Sequence, residues 1–138
     1  MLLHTYNKNE KKQLTKNFNL NEFHCNCAYL ECSQTYITEE LLVVLQVIRN
    51  YFKECIKITS AYRCFRYNKD ISGAINSQHL NGFACDIQVI GVSAFEVQEY
   101  LIMNQRDLNI TIGRYNTFTH IDVRDELIVF DMRDKGNK

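Results

Sequence analysis

The residues with the clearest capacity for chemistry lie between positions 77 and 86, in the segment Ser-Gln-His-Leu-Asn-Gly-Phe-Ala-Cys-Asp. This segment contains an imidazole, His79, and a carboxylate, Asp86, and both side chains are common zinc ligands. Gly82 lies between them and lets the chain bend, so that the two side chains can converge, which they could not do along one extended strand. The segment therefore predicts two ligands of a metal site, with a purely structural histidine as the alternative.

His120 is the candidate for the third ligand. It lies on a predicted strand, and Asp122, two residues further on, has its side chain on the same face of that strand. Two histidines and one aspartate leave a fourth tetrahedral position for water, which is typical of a catalytic rather than a structural zinc site. We therefore predict that His79, Asp86 and His120 bind Zn²⁺.

Arg63 is the candidate for substrate binding. It follows the predicted strand over residues 56–59 and Ser60-Ala61-Tyr62, so it would stand at the rim of a sheet. There its fixed positive charge could bind a substrate carboxylate or stabilise a developing oxyanion. A surface salt bridge is the alternative role. Tyr62, Tyr67 and Tyr115 could line a peptide groove.

The periodicity of apolar residues predicts an α+β framework for these side chains. Helices are expected from Thr38, as N-cap, to about Glu54, and from a capping box at Ser93 to about Asn104. Strands are expected over residues 56–59, 83–90, 110–115, 118–123 and 127–130, of which the third and fourth form a β-hairpin. We expect a mostly antiparallel sheet with helices on one face and the site on the open face.

The length of 138 residues fits one domain with a single core. Residues 1–17 are polar, so we expect an irregular or loosely docked N-terminal arm followed by one domain over residues 18–138. Residues 64–78 contain few large apolar side chains and should be mostly loop, with room for one helical turn.

Composition argues against several classes of protein. Apolar residues make up 46% and charged residues 23%, so neither disorder nor a membrane span is expected. The charges of sixteen basic and sixteen acidic residues cancel, so the sequence lacks the excess of positive charge that is typical of nucleic-acid-binding proteins. The first residues turn polar before any apolar segment forms, which predicts synthesis in a cytoplasm without a cleaved signal. A monomer is the default expectation.

Six cysteines are more than a chain of this size needs in a cytoplasm. Cys25, Cys27 and Cys32 lie in a predicted loop and could form a structural zinc site completed by Cys64 or Cys55. The Cys-x-Cys spacing is not the usual zinc-knuckle spacing, so a disulfide such as Cys32 to Cys64, or free buried thiols, remain alternatives. Cys85 lies on the apolar face of its strand and should belong to the core.

The motif Ser77-x-His79-x-x-Gly82-x-Ala84-x-Asp86, preceded by Ser60-x-Tyr62-Arg63 and followed by His120-Ile121-Asp122, resembles a known family. It is similar to the zinc D-Ala-D-Ala carboxypeptidases and peptidoglycan endopeptidases of the LAS group, whose fold is shared by the hedgehog signalling domain. The resemblance spans about residues 18–124.

The resemblance implies a hedgehog/DD-peptidase-like fold, zinc on His79, Asp86 and His120, and Arg63 as the substrate-binding arginine. Ser77 and Tyr115 are expected beside the substrate. The implied function is zinc-dependent hydrolysis of a peptide bond in peptidoglycan stem peptides, by a D,D-carboxypeptidase or an endopeptidase. A protein of this kind would act at the bacterial cell wall, as a phage lysin or a tail-associated enzyme.

The sequence departs from that family at the general base. The best-known members have an acidic residue three positions before the last histidine ligand, and this chain has Thr117 there, which cannot take a proton. The nearest carboxylate on the same strand face is Asp122, so we predict that Asp122 accepts the proton or orients the water. Support of the metal site or of Arg124 is the alternative role of Asp122. If neither holds, the chain would be a zinc-containing binding or structural module of the same fold.

Overall fold

The computed structural model describes residues 1–134, which form two sheets and four α-helices. The strands are β1 (Leu3–Asn7), β2 (Gln34–Thr38), β3 (Ile56–Ser60), β4 (Ala84–Val89), β5 (Thr111–Arg114), β6 (Thr119–Asp122) and β7 (Val129–Asp131). The α-helices are α1 (Glu39–Phe52), α2 (Phe65–Asp70), α3 (Ala94–Met103) and α4 (Gln105–Leu108), and short 3₁₀ turns cover Leu20–Phe23 and Gln78–Asn81.

The larger sheet has five strands in the order β3-β4-β6-β5-β7. Its neighbouring strands are antiparallel, except that β7 runs parallel to β5. Strands β1 and β2 form a separate antiparallel pair. The predicted α+β class with a mostly antiparallel sheet is confirmed, as is the hairpin of β5 and β6.

The two long helices begin where the capping residues predict. The Thr38 hydroxyl accepts a hydrogen bond from the backbone N–H of Leu41, and the Ser93 hydroxyl accepts one from the backbone N–H of Glu96. Both caps satisfy N–H groups that the first turn of a helix leaves without a partner. Helix α1 ends at Lys53, which adopts the left-handed conformation and closes the last turn.

The core lies between these helices and the larger sheet. Leu41, Leu45 and Ile48 of α1 and Leu101 of α3 are fully buried, and they belong to one cluster with side chains from β4. Cys85 and Ile87 of β4 belong to this cluster, as the alternating pattern predicted for Cys85. Alternation along β4 then directs the side chain of Asp86, between them, to the opposite face.

The pairing of β1 with β2 was not predicted from the sequence. Residues 3–7, expected in an irregular arm, instead form β1, with Leu3 opposite Thr38 and Asn7 opposite Gln34. That prediction was wrong because the partner strand lies about thirty residues away, and the polar residues of β1 gave no apolar run by which to detect it. The proposed start of the domain at residue 18, after an N-terminal arm, stays a prediction.

Gly82 provides the bend that the sequence predicted. It has a φ of +76°, which L side chains rarely adopt, and its carbonyl accepts a hydrogen bond from the Thr38 backbone N–H. A Cβ atom at this position would lie 2.6 Å from the Tyr36 carbonyl oxygen. Gly82 therefore joins the N-terminal sheet closely to the segment that carries the candidate ligands. Within residues 1–134, no helix has the length and apolar character needed to cross a bilayer.

Candidate metal centre

The structure brings the three predicted ligands together on the open face of the larger sheet. His79 lies on the 3₁₀ turn Gln78–Asn81, Asp86 on β4 and His120 on β6, directly opposite Asp86 in the strand register. All three are buried, and each offers a ligand atom within 4.8 Å of the others. Residues far apart in sequence thus form one cluster because β4 and β6 are neighbours.

His79 is held so that one ring nitrogen faces Asp86. Its Nδ1 lies 2.6 Å from the carbonyl oxygen of Ala61, and because a carbonyl only accepts, Nδ1 carries the proton and donates. The other nitrogen, Nε2, then has a lone pair and lies 3.2 Å from Asp86 Oδ1. The backbone before Arg63 thereby fixes both the tautomer and the orientation of His79.

His120 is fixed in the same way by a carboxylate. Its Nε2 lies 2.7 Å from Asp122 Oδ2 and its Nδ1 lies 3.0 Å from Asp86 Oδ1. When Nε2 donates to Asp122, the lone pair of Nδ1 faces Asp86. Asp122 is itself held by Arg124, whose Nε and Nη2 donate to its two oxygens at 2.9 and 2.7 Å. A carboxylate that orients a histidine ligand from behind is a recurrent arrangement around zinc.

The donor set of the three residues fits a zinc ion. With Nδ1 of His79 and Nε2 of His120 donating to their other partners, His79 Nε2, His120 Nδ1 and Asp86 Oδ1 are all acceptors, and a cation among them would satisfy all three. One proton can bridge only two of these atoms, whereas a metal ion contacts all three. The separations of 3.2 and 3.0 Å from Asp86 Oδ1 are close to the ~3.3 Å between neighbouring ligand atoms of tetrahedral zinc with N and O ligands.

The electrostatics of the cluster favour ionised carboxylates. Burial works against the ionised form of Asp86, but the neighbouring imidazoles of His120 and His79 hold the pKa of its carboxyl well below its usual range. Burial likewise opposes ionisation of Asp122, yet His120 and Arg124 lower the pKa of that carboxyl. Burial also opposes the charged form of His120, but Asp122 and Asp86 together raise the pKa of its imidazole.

A comparison with models of protein families gives a match over most of the chain. The family described as Peptidase M15 matches residues 16–122, which include all three candidate ligands. The chain belongs to the Peptidase M15 family. A comparison with curated proteins found no match. As an M15 peptidase the chain belongs to a family of zinc-dependent metallopeptidases, and its His79, Asp86 and His120 are the group that could hold that metal.

In this M15 peptidase Arg63 lies beside the candidate metal ligands. Its Nη2 lies 3.3 Å from Asp86 Oδ2, its Nε donates to Ser60 Oγ at 3.0 Å, and its Nη1 donates to Asn68 Oδ1 at 3.2 Å. These contacts use three of the five N–H donors of a guanidinium. Arg63 is therefore a pre-oriented cation, and it lines the same cleft as the ligands.

The candidate metal centre opens into a cleft of about 790 Å³. Ser77 and Tyr115, both predicted to meet the substrate, line this cleft, and so do the apolar side chains of Phe118 and Phe130. The Ser77 hydroxyl accepts a hydrogen bond from the His79 backbone N–H at 3.2 Å, so it also caps the 3₁₀ turn. Burial and the nearby charge of Asp86 raise the pKa of the Tyr115 hydroxyl, which stays a hydrogen-bond donor at neutral pH.

The structure places Asp122 behind His120 rather than in the cleft. Asp122 is fully buried, and both of its oxygens are engaged by His120 and Arg124. This arrangement favours the supporting role over that of a proton acceptor. Thr117 lies exposed in the turn between β5 and β6. Among the described residues that line the cleft, Asp86 is the only carboxylate.

Three residues that help to build the site carried no signal in the sequence. Asn68, almost fully buried in α2, orients Arg63, and Phe130 of β7 lies against the His120 ring with a centroid distance of 5.4 Å. Ala61 contributes only its backbone carbonyl to His79. Backbone groups and packing neighbours of this kind become recognisable only when the fold brings them to the site.

Proposed function

We propose that this M15 peptidase hydrolyses a peptide bond in the stem peptides of bacterial peptidoglycan. The observation that carries the proposal is the convergence of three acceptor atoms, from His79, Asp86 and His120, on one point at the base of an open cleft. The site of action would be the bacterial cell wall, reached after release from a cell or as part of a phage particle.

The chemistry divides between the metal and the side chains around it. Zinc held by the three ligands would polarise the scissile carbonyl and bring the pKa of a water molecule toward neutrality. Arg63 binds the C-terminal carboxylate of the peptide or the oxyanion through the N–H groups that its contacts with Ser60, Asn68 and Asp86 leave over. Tyr115 donates its hydroxyl proton to a substrate oxygen.

The lining of the cleft is compatible with a stem peptide. Such a peptide ends in small apolar residues and a carboxylate, and the cleft combines Arg63 with apolar walls. Those walls comprise Ile71, Ile75, Phe118, Phe130 and Met132. Small apolar side chains can pack on these walls while the carboxylate pairs with Arg63.

Release of amine groups from purified peptidoglycan tests the proposal. The zinc-loaded wild type should release them, and His120→Ala should release almost none because it removes a ligand. His4→Ala is the matched control, since His4 lies on β1 and pairs with Glu39 of α1, outside the cleft. Free alanine among the products would indicate a carboxypeptidase, whereas new amines on peptide fragments only would indicate an endopeptidase. A zinc-loaded wild type that releases no amine from walls of several stem-peptide types would contradict the enzymatic proposal.

One observation favours a second candidate, a non-catalytic zinc-containing module of the same fold. Peptide hydrolysis needs a group that accepts a proton from water and passes it to the leaving amine. Asp86 is the only carboxylate among the described residues that line the cleft. It is itself a candidate metal ligand and contacts both histidines, so it is not free to accept the proton. This candidate predicts that the wild type retains zinc and binds peptidoglycan fragments without cleaving them, and isothermal calorimetry with such fragments would detect the binding.

A further inference from the structure

A second group of potential metal ligands lies outside the candidate M15 site. Four sulfur atoms come within 4.8 Å of one another. We call this group the cysteine cluster, and its members are Cys25, Cys27, Cys32 and Cys64. Three members lie in the loop between the first 3₁₀ turn and β2, and the fourth is the N-cap residue of α2.

We propose that the cysteine cluster binds a structural zinc ion through four thiolates. In tetrahedral zinc with sulfur ligands, neighbouring sulfurs lie ~3.8 Å apart, because each Zn–S bond is ~2.3 Å. The Sγ atoms of Cys27 and Cys64 are 3.9 Å apart. Four cysteines with no open position are the ligand set of a structural rather than a catalytic zinc site.

Hydrogen bonds to the sulfurs support thiolates rather than thiols. The backbone N–H of Cys64 donates to Cys25 Sγ at 3.3 Å, and the backbone N–H of Tyr67 donates to Cys64 Sγ at 3.4 Å. The ammonium of Lys8 lies 3.6 Å from Cys27 Sγ and 3.7 Å from Cys32 Sγ. Four thiolates around Zn²⁺ carry two net negative charges, so N–H donors and a cation in contact with the sulfurs stabilise the complex.

The two alternatives for these cysteines fit the structure less well. The six cysteines of the described chain are free, and the separation of 3.9 Å between Cys27 and Cys64 sulfurs is far from the ~2.05 Å of a disulfide. A cysteine buried as a small apolar residue should pack among apolar side chains, as Cys85 does in the core. Cys25 and Cys32 are also buried but lie outside that core and face other sulfurs.

A zinc ion in the cysteine cluster would join a loop to the segment that directly follows Arg63 of the candidate active site. The loop from Cys25 to Cys32 contains no helix or strand, so few backbone hydrogen bonds hold it. Cys64 directly follows Arg63, whose guanidinium reaches Asp86. The cluster therefore cross-links this loop to the segment that positions the substrate-binding arginine, and it would do so whether or not the chain is an active peptidase.

Zinc content per chain tests the proposal, measured by plasma mass spectrometry on protein purified with reductant and zinc. The wild type should hold two equivalents and His120→Ala one. Cys27→Ser should lose one equivalent, whereas the matched control Cys55→Ser should lose none, because Cys55 is exposed and outside the cluster. Zinc content in Cys27→Ser equal to that of the wild type would overturn the proposal.

X-ray absorption at the zinc edge keeps the test decisive if Cys27→Ser does not fold. The zinc that remains in His120→Ala should show only sulfur neighbours, at ~2.3 Å. Oxygen or nitrogen neighbours alone, or a disulfide within the cluster detected by intact mass under non-reducing conditions, would overturn the proposal. Because the sulfur-bound zinc is measured with the other site disabled, its presence does not depend on the proposed peptidase function.

Discussion

At the scale of single residues, the position of Asp122 decides how the candidate centre is built. Its carboxylate connects Arg124 to the ring of His120, and His120 in turn faces Asp86. Each of these contacts orients the next residue, so the orientation of the His120 ring depends on a residue outside both the candidate ligand group and the cleft lining. Asp122 is thus a positioning residue, and this role leads to a different expectation from that of a general base.

We expect Asp122→Asn to weaken zinc binding by about 10–100-fold while the protein stays folded. The amide keeps the shape, but its neutral oxygen accepts a weaker hydrogen bond from His120 Nε2 than the carboxylate does, so the ring is held less firmly. Zinc affinity is measured by competition with a chromogenic chelator.

Asp131→Asn is the matched control for that change. Arg133 binds Asp131 in the same fork geometry, at 2.9 and 2.7 Å, and Asp131 belongs neither to the candidate ligand group nor to the cleft lining. Unchanged zinc affinity in Asp122→Asn together with a collapse of kcat would instead identify Asp122 as the proton acceptor.

Arg63→Lys should lower kcat/KM for peptide cleavage by about 10–100-fold, since a hydrogen bond to a charged group contributes about 1.5–3 kcal/mol. Lysine cannot reach Ser60, Asn68 and Asp86 at once, so the charge would lose its orientation. Steady-state kinetics on a stem peptide measures the effect.

Arg114→Lys provides the control, because Arg114 is equally buried but binds Gln98 and Glu99 outside the cleft. An equal loss of kcat/KM in both variants would show that the effect of Arg63 is structural rather than specific to the substrate.

At the scale of secondary-structure elements, Gly82 connects the N-terminal β-ribbon to the centre. Its carbonyl accepts from Thr38 at the end of β2, and the chain then passes directly into β4, which carries Asp86. The same glycine ends the 3₁₀ turn that carries His79. The left-handed conformation of Gly82 therefore sets the relative position of two of the three candidate ligands, His79 and Asp86.

Gly82→Ala and Gly91→Ala form a matched pair that isolates this close approach. Both glycines have a positive φ, +76° and +79°, so alanine should cost about 1–2 kcal/mol of unfolding free energy at either position. Only at Gly82 would the added Cβ meet a backbone atom, the Tyr36 carbonyl oxygen at 2.6 Å, and nothing lies within 4 Å of the Cβ at Gly91. Gly82→Ala should thus cost about 1–3 kcal/mol more in urea denaturation. Equal losses would show that the two sheets can separate without penalty.

The elements that could be predicted from the sequence are those with local signals. Thr38 and Ser93 mark helix starts, and the alternating residues from Phe83 to Ile90 mark β4, because caps and periodicity act within a few positions. The pairing of β1 with β2 escaped prediction because it joins segments distant in sequence. The proximity of His79, Asp86 and His120 could be predicted from residue type, spacing and family resemblance, and their role as ligands stays a prediction. The orientation of Asp122 toward the back of His120 could not be foreseen, since strand alternation gives a shared face but no hydrogen-bond partner.

At the scale of the whole molecule, metal binding should contribute to folding stability, because the ligands come from segments far apart in sequence and the unfolded chain cannot hold them together. Free zinc at one hundred times its dissociation constant would add about 2.7 kcal/mol per site. A strong chelator should accordingly lower the Tm of the wild type in differential scanning calorimetry.

The chelator should lower the Tm of His79→Ala by a smaller amount than that of the wild type, since one site is already disabled. His4→Ala should respond as the wild type does, because it keeps both groups of ligands intact. A chelator-insensitive Tm in the wild type would mean that neither group binds zinc in the folded protein.

The order of strands in the larger sheet has a consequence for synthesis on the ribosome. β4 is paired on one side by β3, which precedes it in the chain, but its other neighbour, β6, emerges more than thirty residues later. Until then the strand that carries Asp86 presents an open edge able to pair with a foreign chain. During this interval the nascent protein has His79 and Asp86 but not yet His120. Phe130, which packs against the His120 ring, is synthesised later still. Aggregation during translation should therefore depend on how quickly the segment from α3 to β6 is made.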